Sequence, residues 1–267
     1  MMMMMMDPHC HMVSRVTEDY EKMALCGIRV VVEPSFWLGE PRKRVGTFLD
    51  YFDHICNFER KRAAAYLIEH YAAISVNPRE SNNSGLRDEV LAELPKWLDH
   101  ETVVAVGEIG FDDITEAEEV SVRRQLQLAK ERDLPVIVHT PHADKLRGVL
   151  RTLDVIREVG VSPERVVLDH TTEETVQVSK DSGCWCGFTV YNVTKLTPER
   201  AVNILEKYGP EKMLINSSCD WGPSDPLNVP RTALEMRRRG FSDDDIAKIV
   251  WENPMEFYRN TGRIKIK

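Results

Sequence analysis

Near its amino terminus the chain carries two histidines, a residue type that binds divalent metal ions. His9 and His11 are separated by one residue and follow the dipeptide Asp7-Pro8. Alternate residues of a strand point to the same side, so both imidazoles are expected to project together from one strand end. Two imidazoles on a rigid strand can hold a metal without backbone movement. The pair alone is weak evidence, and further ligands must come from the rest of the chain.

Four further candidate ligands follow later apolar runs: Glu108, His139, His170 and Asp220. His139 follows Glu108 by 31 residues, and His170 follows His139 by another 31. One βαβ step takes about 30 residues, so these side chains are expected at equivalent ends of consecutive parallel strands. Neutral histidines with carboxylates suit zinc, manganese or similar cations. Because one catalytic zinc needs only about three protein ligands, the set favours two divalent metal ions that activate water for hydrolysis.

Eight short apolar runs alternate with longer amphipathic stretches, and each run is predicted to be a strand: 3–8, 28–33, 73–77, 103–109, 135–139, 166–170, 184–188 and 213–217. Their interiors are continuously apolar, which is typical of a parallel sheet buried on both faces. The pattern predicts an α/β fold, a (β/α)8 TIM barrel in a single domain spanning residues 1–267. A doubly wound open sheet is disfavoured because no Gly-x-Gly-x-x-Gly follows a strand.

Composition limits the possible partners. The 267 residues carry a formal charge of −8, which gives no general electrostatic attraction to nucleic acid or anionic membranes. Nucleic acid is therefore a possible but disfavoured partner, and a small-molecule substrate is favoured. No run of about 18 apolar residues predicts a membrane span. Six cysteines in a chain of this size indicate reduced thiols and a cytoplasmic location.

The motifs around these residues resemble those of the TatD-type hydrolases of the amidohydrolase superfamily. They are Asp-x-His-x-His at the start, VGEIGFD around Glu108, LPVIVHT around His139, LDH ending at His170, and the late Asp220. The resemblance spans essentially the whole chain. It implies one metal bound by His9, His11, Glu108 and Asp220, and a second bound by Glu108, His139 and His170. It also implies that Glu108 bridges the metals, that Asp220 accepts a proton, and that Asp7 orients a ligand imidazole.

Two segments depart from the nuclease members of that family. Residues 171–174 read TTEE where those members carry a Cys-Phe-Ser-Gly-like stretch, and residues 216–222 read NSSCDWG where they place Glu-Thr before the final aspartate. Aromatic residues expected near the same rim are Phe36, Trp37, Trp221 and Trp185. These features favour a small aromatic or hydrophobic ligand over DNA.

Three functions are compatible with this pattern. The leading hypothesis is a metal-dependent hydrolase that cleaves an ester, phosphoester or amide bond of a small molecule. The first alternative is a TatD-type deoxyribonuclease with 3′–5′ exonuclease activity. The second is a non-catalytic protein that binds a metal or metabolite in a biosynthetic assembly. His142, three residues after His139, is expected to cap the helix that follows it.

Overall fold

Eight parallel strands pair in chain order to form one sheet. The computed structural model describes residues 3–259 and 261–266. The strands are β1 (Met5–Asp7), β2 (Ile28–Pro34), β3 (Glu69–Ile74), β4 (Val103–Gly110), β5 (Val136–His139), β6 (Val166–Leu168), β7 (Trp185–Thr189) and β8 (Met213–Asn216). All eight predicted strands are present, and the prediction of a (β/α)8 TIM barrel is confirmed.

The third strand differs most from the prediction. β3 begins at Glu69 and ends at Ile74, whereas the apolar run predicted a strand over 73–77. The strand start was missed because Glu69 and His70 are polar. His70 is nevertheless buried, since its Nε2 lies 2.8 Å from a carboxylate oxygen of Glu33 on the neighbouring strand.

Helices follow the strands and cover the outside of the sheet. They are α1 (Thr17–Leu25), α2 (Val45–Asp53), α3 (Glu59–Ala64), α4 (Ser84–Leu98), α5 (Glu116–Glu131), α6 (Lys145–Val159), α7 (Val176–Asp181), α8 (Pro198–Tyr208), α9 (Asn228–Arg238), α10 (Asp243–Ala247) and α11 (Asn253–Arg259). Pro198 occupies the first turn of α8, where its missing N–H costs no hydrogen bond, and the Thr197 side chain caps that helix. Within the described residues, no helix combines the length and apolar character needed to cross a membrane.

The sheet closes into a barrel where the chain segments after β1 and β8 meet. The backbone N–H of Ser218 donates to the His9 carbonyl at 2.8 Å, and that of His11 donates to the Cys219 carbonyl at 2.9 Å. The Asp7 carboxylate accepts hydrogen bonds from the backbone N–H and hydroxyl of Ser217. The closure therefore lies at the carboxyl ends of the strands, beside two of the candidate ligands.

An apolar cluster to which every strand contributes fills the barrel interior. Its strand members are Met6, Val30, Val32, Tyr71, Ala73, Val104, Ala105, Ile137, Val167, Trp185 and Leu214. Helix α11 adds Met255, Phe257 and Tyr258, and the Tyr258 hydroxyl donates to the Pro8 carbonyl at 2.8 Å. The last helix is therefore tied to the segment that carries His9.

Tyr258→Phe should lower the free energy of unfolding by about 1–2 kcal/mol, because the buried Pro8 carbonyl loses its donor while the ring remains. Urea denaturation should show a lower midpoint with an unchanged slope. Tyr208→Phe, on a half-buried residue at the end of α8, is the matched control and should change the midpoint little. Equal urea midpoints for Tyr258→Phe and Tyr208→Phe would show that the Tyr258 hydroxyl does not stabilise the fold.

Candidate metal centre

Five predicted ligands converge at the carboxyl ends of the strands. His9 and His11 follow β1, His139 is the last residue of β5, and His170 lies two residues beyond β6. Glu108 lies within β4, at a break in the strand register between Gly107 and Ile109. Such a bulge redirects a side chain without ending the strand, which brings the Glu108 carboxylate to the rim.

Two groups of potential ligand atoms share Glu108. His9, His11 and Glu108 form one group, and Glu108, His139 and His170 form the other, with the ligand atoms of each group within 4.8 Å of one another. His170 Nε2 lies 3.0 Å from Glu108 Oε1, His139 Nδ1 lies 3.5 Å from it, and His9 Nε2 lies 3.6 Å from it. One carboxylate oxygen is thus surrounded by imidazole nitrogens from three segments of the chain.

The donor set fits a divalent metal. His9 Nε2 and His11 Nε2 face each other at 3.1 Å, and two imidazole nitrogens at that distance share at most one proton. His11 Nδ1 is buried and has no hydrogen-bond partner among the described residues. Unprotonated imidazole nitrogens beside a carboxylate are the ligands that zinc and similar cations prefer.

Burial and charge set the protonation of the centre. Burial lowers the pKa of His11 and of His170 well below the ordinary value, so both imidazoles are neutral near pH 7. Burial alone would raise the pKa of Glu108, but His9 and the hydrogen bonds with His139 and His170 outweigh it and hold that pKa well below the usual range. The centre therefore presents a carboxylate and at least two neutral imidazoles.

Asp169 was missed by the sequence analysis and is the partner of His9. Its carboxylate oxygen Oδ2 makes a short contact with His9 Nδ1, and both residues are buried. Its Oδ1 accepts hydrogen bonds from the His170 backbone N–H at 2.8 Å and from the Asn216 side chain at 2.9 Å. The expectation that Asp7 orients a ligand imidazole is wrong, because Asp7 bonds the backbone of His9 and residue Ser217 instead. The LDH motif contained the signal, since Asp169 is a carboxylate directly after the apolar strand β6.

Asp220 lies in the same cavity but in neither group of ligand atoms. Its Oδ1 accepts hydrogen bonds from the Tyr191 hydroxyl at 2.9 Å and from the Gly222 backbone N–H at 2.7 Å. The residue is half-buried, four positions beyond the end of β8. The structure therefore brings five of the six predicted ligands together and holds the sixth at the cavity wall.

The cavity above the centre has a volume of about 170 Å³. Its wall is formed partly by Phe36, which stacks on His11 with ring centroids 4.1 Å apart, and by Trp37. Trp221 packs against Phe36, with ring centroids 4.7 Å apart, and is half-exposed. Trp185 is not at the rim as expected, because it is the first residue of β7 and packs against Phe257 in the barrel interior.

Lys195 and His142 also line the cavity and were not identified as site residues from the sequence. Lys195 lies in the loop between β7 and α8, with its Nζ 3.4 Å from His170 Nε2, and no sequence pattern marks it. Burial lowers the pKa of Lys195, and the carboxylates of Glu108 and Asp169 oppose that shift. The expectation that His142 caps α6 is wrong, since that helix has Asp144 at its N-cap position and no side-chain cap.

Comparison with known proteins identifies a family and a fold that this chain shares. A family model described as TatD-related DNase matches residues 6–259. An uncharacterized metal-dependent hydrolase of Methanocaldococcus jannaschii is 34% identical over 258 residues, covering 96% of this chain and 100% of that protein. An aryldialkylphosphatase of Saccharolobus solfataricus is 26% identical over 171 residues, or 54% of each chain. The crystal structure of a TatD-like protein from Archaeoglobus fulgidus has 26% identity and a TM-score of 0.79, covering 95% of this chain and 99% of that one.

Asp169→Asn should weaken metal binding by about 10- to 100-fold, because the carboxylate that holds the His9 imidazole is replaced by a neutral amide. Isothermal titration of the metal-free protein with Zn²⁺ or Mn²⁺ measures the change. Asp133→Asn, an exposed residue outside the site, is the matched control. Unchanged affinity in a folded Asp169→Asn protein would show that this contact does not support the ligand.

Proposed function

The chain belongs to the family of TatD-related DNases and is a metal-dependent hydrolase, and on that premise we propose a binuclear centre that hydrolyses a small molecule. One metal is held by His9, His11 and Glu108, with Asp220 completing its ligands. The other is held by Glu108, His139 and His170. The bond cleaved is an ester, phosphoester or amide.

The shared position of Glu108 carries the proposal. Its carboxylate is the one member common to the two ligand groups found among the described residues. A carboxylate has two oxygens and several lone pairs, so it can bind two cations at once. A single zinc site would use about three of these side chains and leave buried imidazoles without a role.

The chain supplies the groups that the reaction needs around bound metal. A bound divalent metal would lower the pKa of a water molecule and would stabilise negative charge on the substrate. Asp169 keeps His9 in one orientation through its contact with Nδ1, which leaves Nε2 directed to the centre. Asp220 accepts the proton released during hydrolysis, and the Tyr191 hydroxyl and the Gly222 N–H hold its carboxylate in place.

The size of the cavity and the net charge of the chain favour a small substrate. A volume of about 170 Å³ is close to that of a cavity able to enclose a single aromatic ring. Trp37 and Phe36 offer flat apolar walls beside the centre. The formal charge of −8 gives no general attraction for a nucleic-acid backbone.

Deoxyribonuclease activity is the second candidate, favoured by the description of the matching family model. The protein loaded with Mn²⁺ or Zn²⁺ should be assayed against p-nitrophenyl phosphodiesters, lactones and single-stranded DNA. Turnover of a small substrate supports the proposal. Nucleotide release from DNA alone, strongly weakened by salt, would support the nuclease. Bound metal without turnover on any substrate would favour the non-catalytic binding protein.

The number of metal ions bound per chain should fall when a ligand of either group is removed. Elemental analysis should give about two metal ions per chain for the unchanged protein, about one for His139→Ala, and less than one for Glu108→Ala, because Glu108 serves both groups. His142→Ala, at the mouth of the cavity and outside both groups, is the control and should keep about two. A Glu108→Ala protein with full metal content would rule out the bridging role.

Asp220→Asn should lower kcat by about 10²- to 10⁴-fold while leaving the fold intact. The amide oxygen can still accept from the Tyr191 hydroxyl and the Gly222 N–H, but it cannot take a proton. Steady-state kinetics and thermal denaturation measure the two effects. Asp225→Asn in the same loop is the control, and a similar rate for the two variants would exclude Asp220 as the proton acceptor.

A further inference from the structure

We propose that Lys195 binds an anionic group of the substrate, which makes the substrate a small organic anion. The inference rests on the hydrolase function proposed above and specifies its substrate class. The group that Lys195 binds is an oxyanion. It can be the scissile phosphodiester itself or a carboxylate beside a neutral ester or amide bond.

The surroundings of the Lys195 ammonium group point to a ligand. Its Nζ lies inside the cavity, 3.4 Å from His170 Nε2 and 5.7 Å from the centroid of the Tyr191 ring. Among the described residues no carboxylate oxygen lies within 4.0 Å of it, and Glu108, Asp169 and Asp220 act on it only from a distance. A recessed ammonium without an anion nearby is costly, and an anionic ligand removes that cost.

Lys145 shows what a structural lysine looks like in the same region. Its Nζ is within hydrogen-bond distance of three oxygens, the Thr140 hydroxyl at 3.0 Å, the Thr140 carbonyl at 3.4 Å and the His170 carbonyl at 3.2 Å. Lysine has three N–H donors, so Lys145 is fully used. Lys195 has the same three donors, and its one near partner is an imidazole nitrogen assigned above to a metal. Its donors are therefore available to a ligand.

The backbone that carries Lys195 is held firmly. The Lys195 N–H donates to the Tyr191 carbonyl at 2.9 Å, and the Arg200 guanidinium donates to the Lys195 carbonyl at 2.7 Å. Arg200 is itself fixed by two hydrogen bonds to Glu173, at 2.9 and 2.7 Å. A cation on a fixed backbone loses less entropy when it binds a ligand than one on a mobile loop.

Arg79, the other cationic side chain in the wall, is already engaged. Its Nε lies 3.1 Å from an Asp112 carboxylate oxygen, and its guanidinium stacks on Trp37 at 4.6 Å. Nucleic-acid backbones are bound by several cations along an open groove, whereas here a single available ammonium lies in a cavity of about 170 Å³. The arrangement favours one anionic group on a small molecule.

Phosphate binding tests the proposal without turnover. Calorimetric titration of the metal-loaded protein with inorganic phosphate should show binding about tenfold or more weaker for Lys195→Met than for the unchanged protein, because a charge-assisted contact is lost. Lys207→Met, an exposed lysine of α8, removes the same charge outside the cavity and is the control. Metal content and thermal denaturation are measured for each protein. Lys195→Gln replaces Lys195→Met if the latter fails to fold. Affinities within about threefold of the unchanged protein would overturn the proposal.

Three substrates with the same leaving group identify the anion and separate this inference from the hydrolase proposal. They are p-nitrophenyl acetate, which is neutral, mono-p-nitrophenyl terephthalate, which carries a carboxylate, and p-nitrophenyl phenyl phosphate, which is an anionic diester. Lys195→Met should lower the ratio of kcat/KM for an anionic substrate to that for the acetate by about tenfold. The substrate with the reduced ratio shows whether Lys195 binds the scissile phosphodiester or a carboxylate beside the scissile bond. Equal loss on all three would overturn the inference and leave the hydrolase standing. If no substrate is turned over but phosphate binding still depends on Lys195, the hydrolase proposal is wrong and this inference stands.

Discussion

The centre depends on burying one carboxylate among imidazoles. Glu108 is almost fully buried, and nitrogens of His9, His139 and His170 lie within 3.6 Å of one of its oxygens. A buried carboxylate is costly unless cations or donors compensate it, and the imidazole N–H donors around Glu108 compensate it only in part. Divalent metal would supply the remaining positive charge. The electrostatic cost of burying Glu108 is therefore lowest when metal is bound. Metal binding should also stabilise the fold.

Barrel closure and ligand placement use the same atoms. The hydrogen bonds that join the segments after β1 and β8 involve the backbone of His9, His11 and Ser218. Asp7 reinforces the junction through Ser217, while Asp169, directly after β6, reaches across to the His9 ring. A ligand cannot shift without disturbing the closure of the sheet. This coupling helps to hold ligand side chains from four strands with little freedom at one rim.

Spacing and apolar continuity were enough to predict the barrel and the convergence of five ligands. Glu108, His139 and His170 lie at or within two residues of the carboxyl ends of consecutive strands, and topology brings such ends together. Two other features could not be predicted. Asp169 fell inside the predicted strand 166–170 but lies beyond the end of β6, and Lys195 lies in a loop whose path follows from no local pattern. Contacts made across the barrel depend on tertiary geometry, which periodicity does not encode.

A second buried glutamate and histidine show why residue type alone does not make a centre. Glu33 lies 2.8 Å from His70 Nε2, and its other oxygen accepts from the Val13 N–H at 2.8 Å. Burial lowers the pKa of His70 to about 4, so that imidazole is neutral like His11. Among the described residues no third ligand atom joins this pair. Because its two oxygens are already occupied, Glu33 serves instead to fix the turn that begins directly after His11, and so supports the centre from outside the barrel.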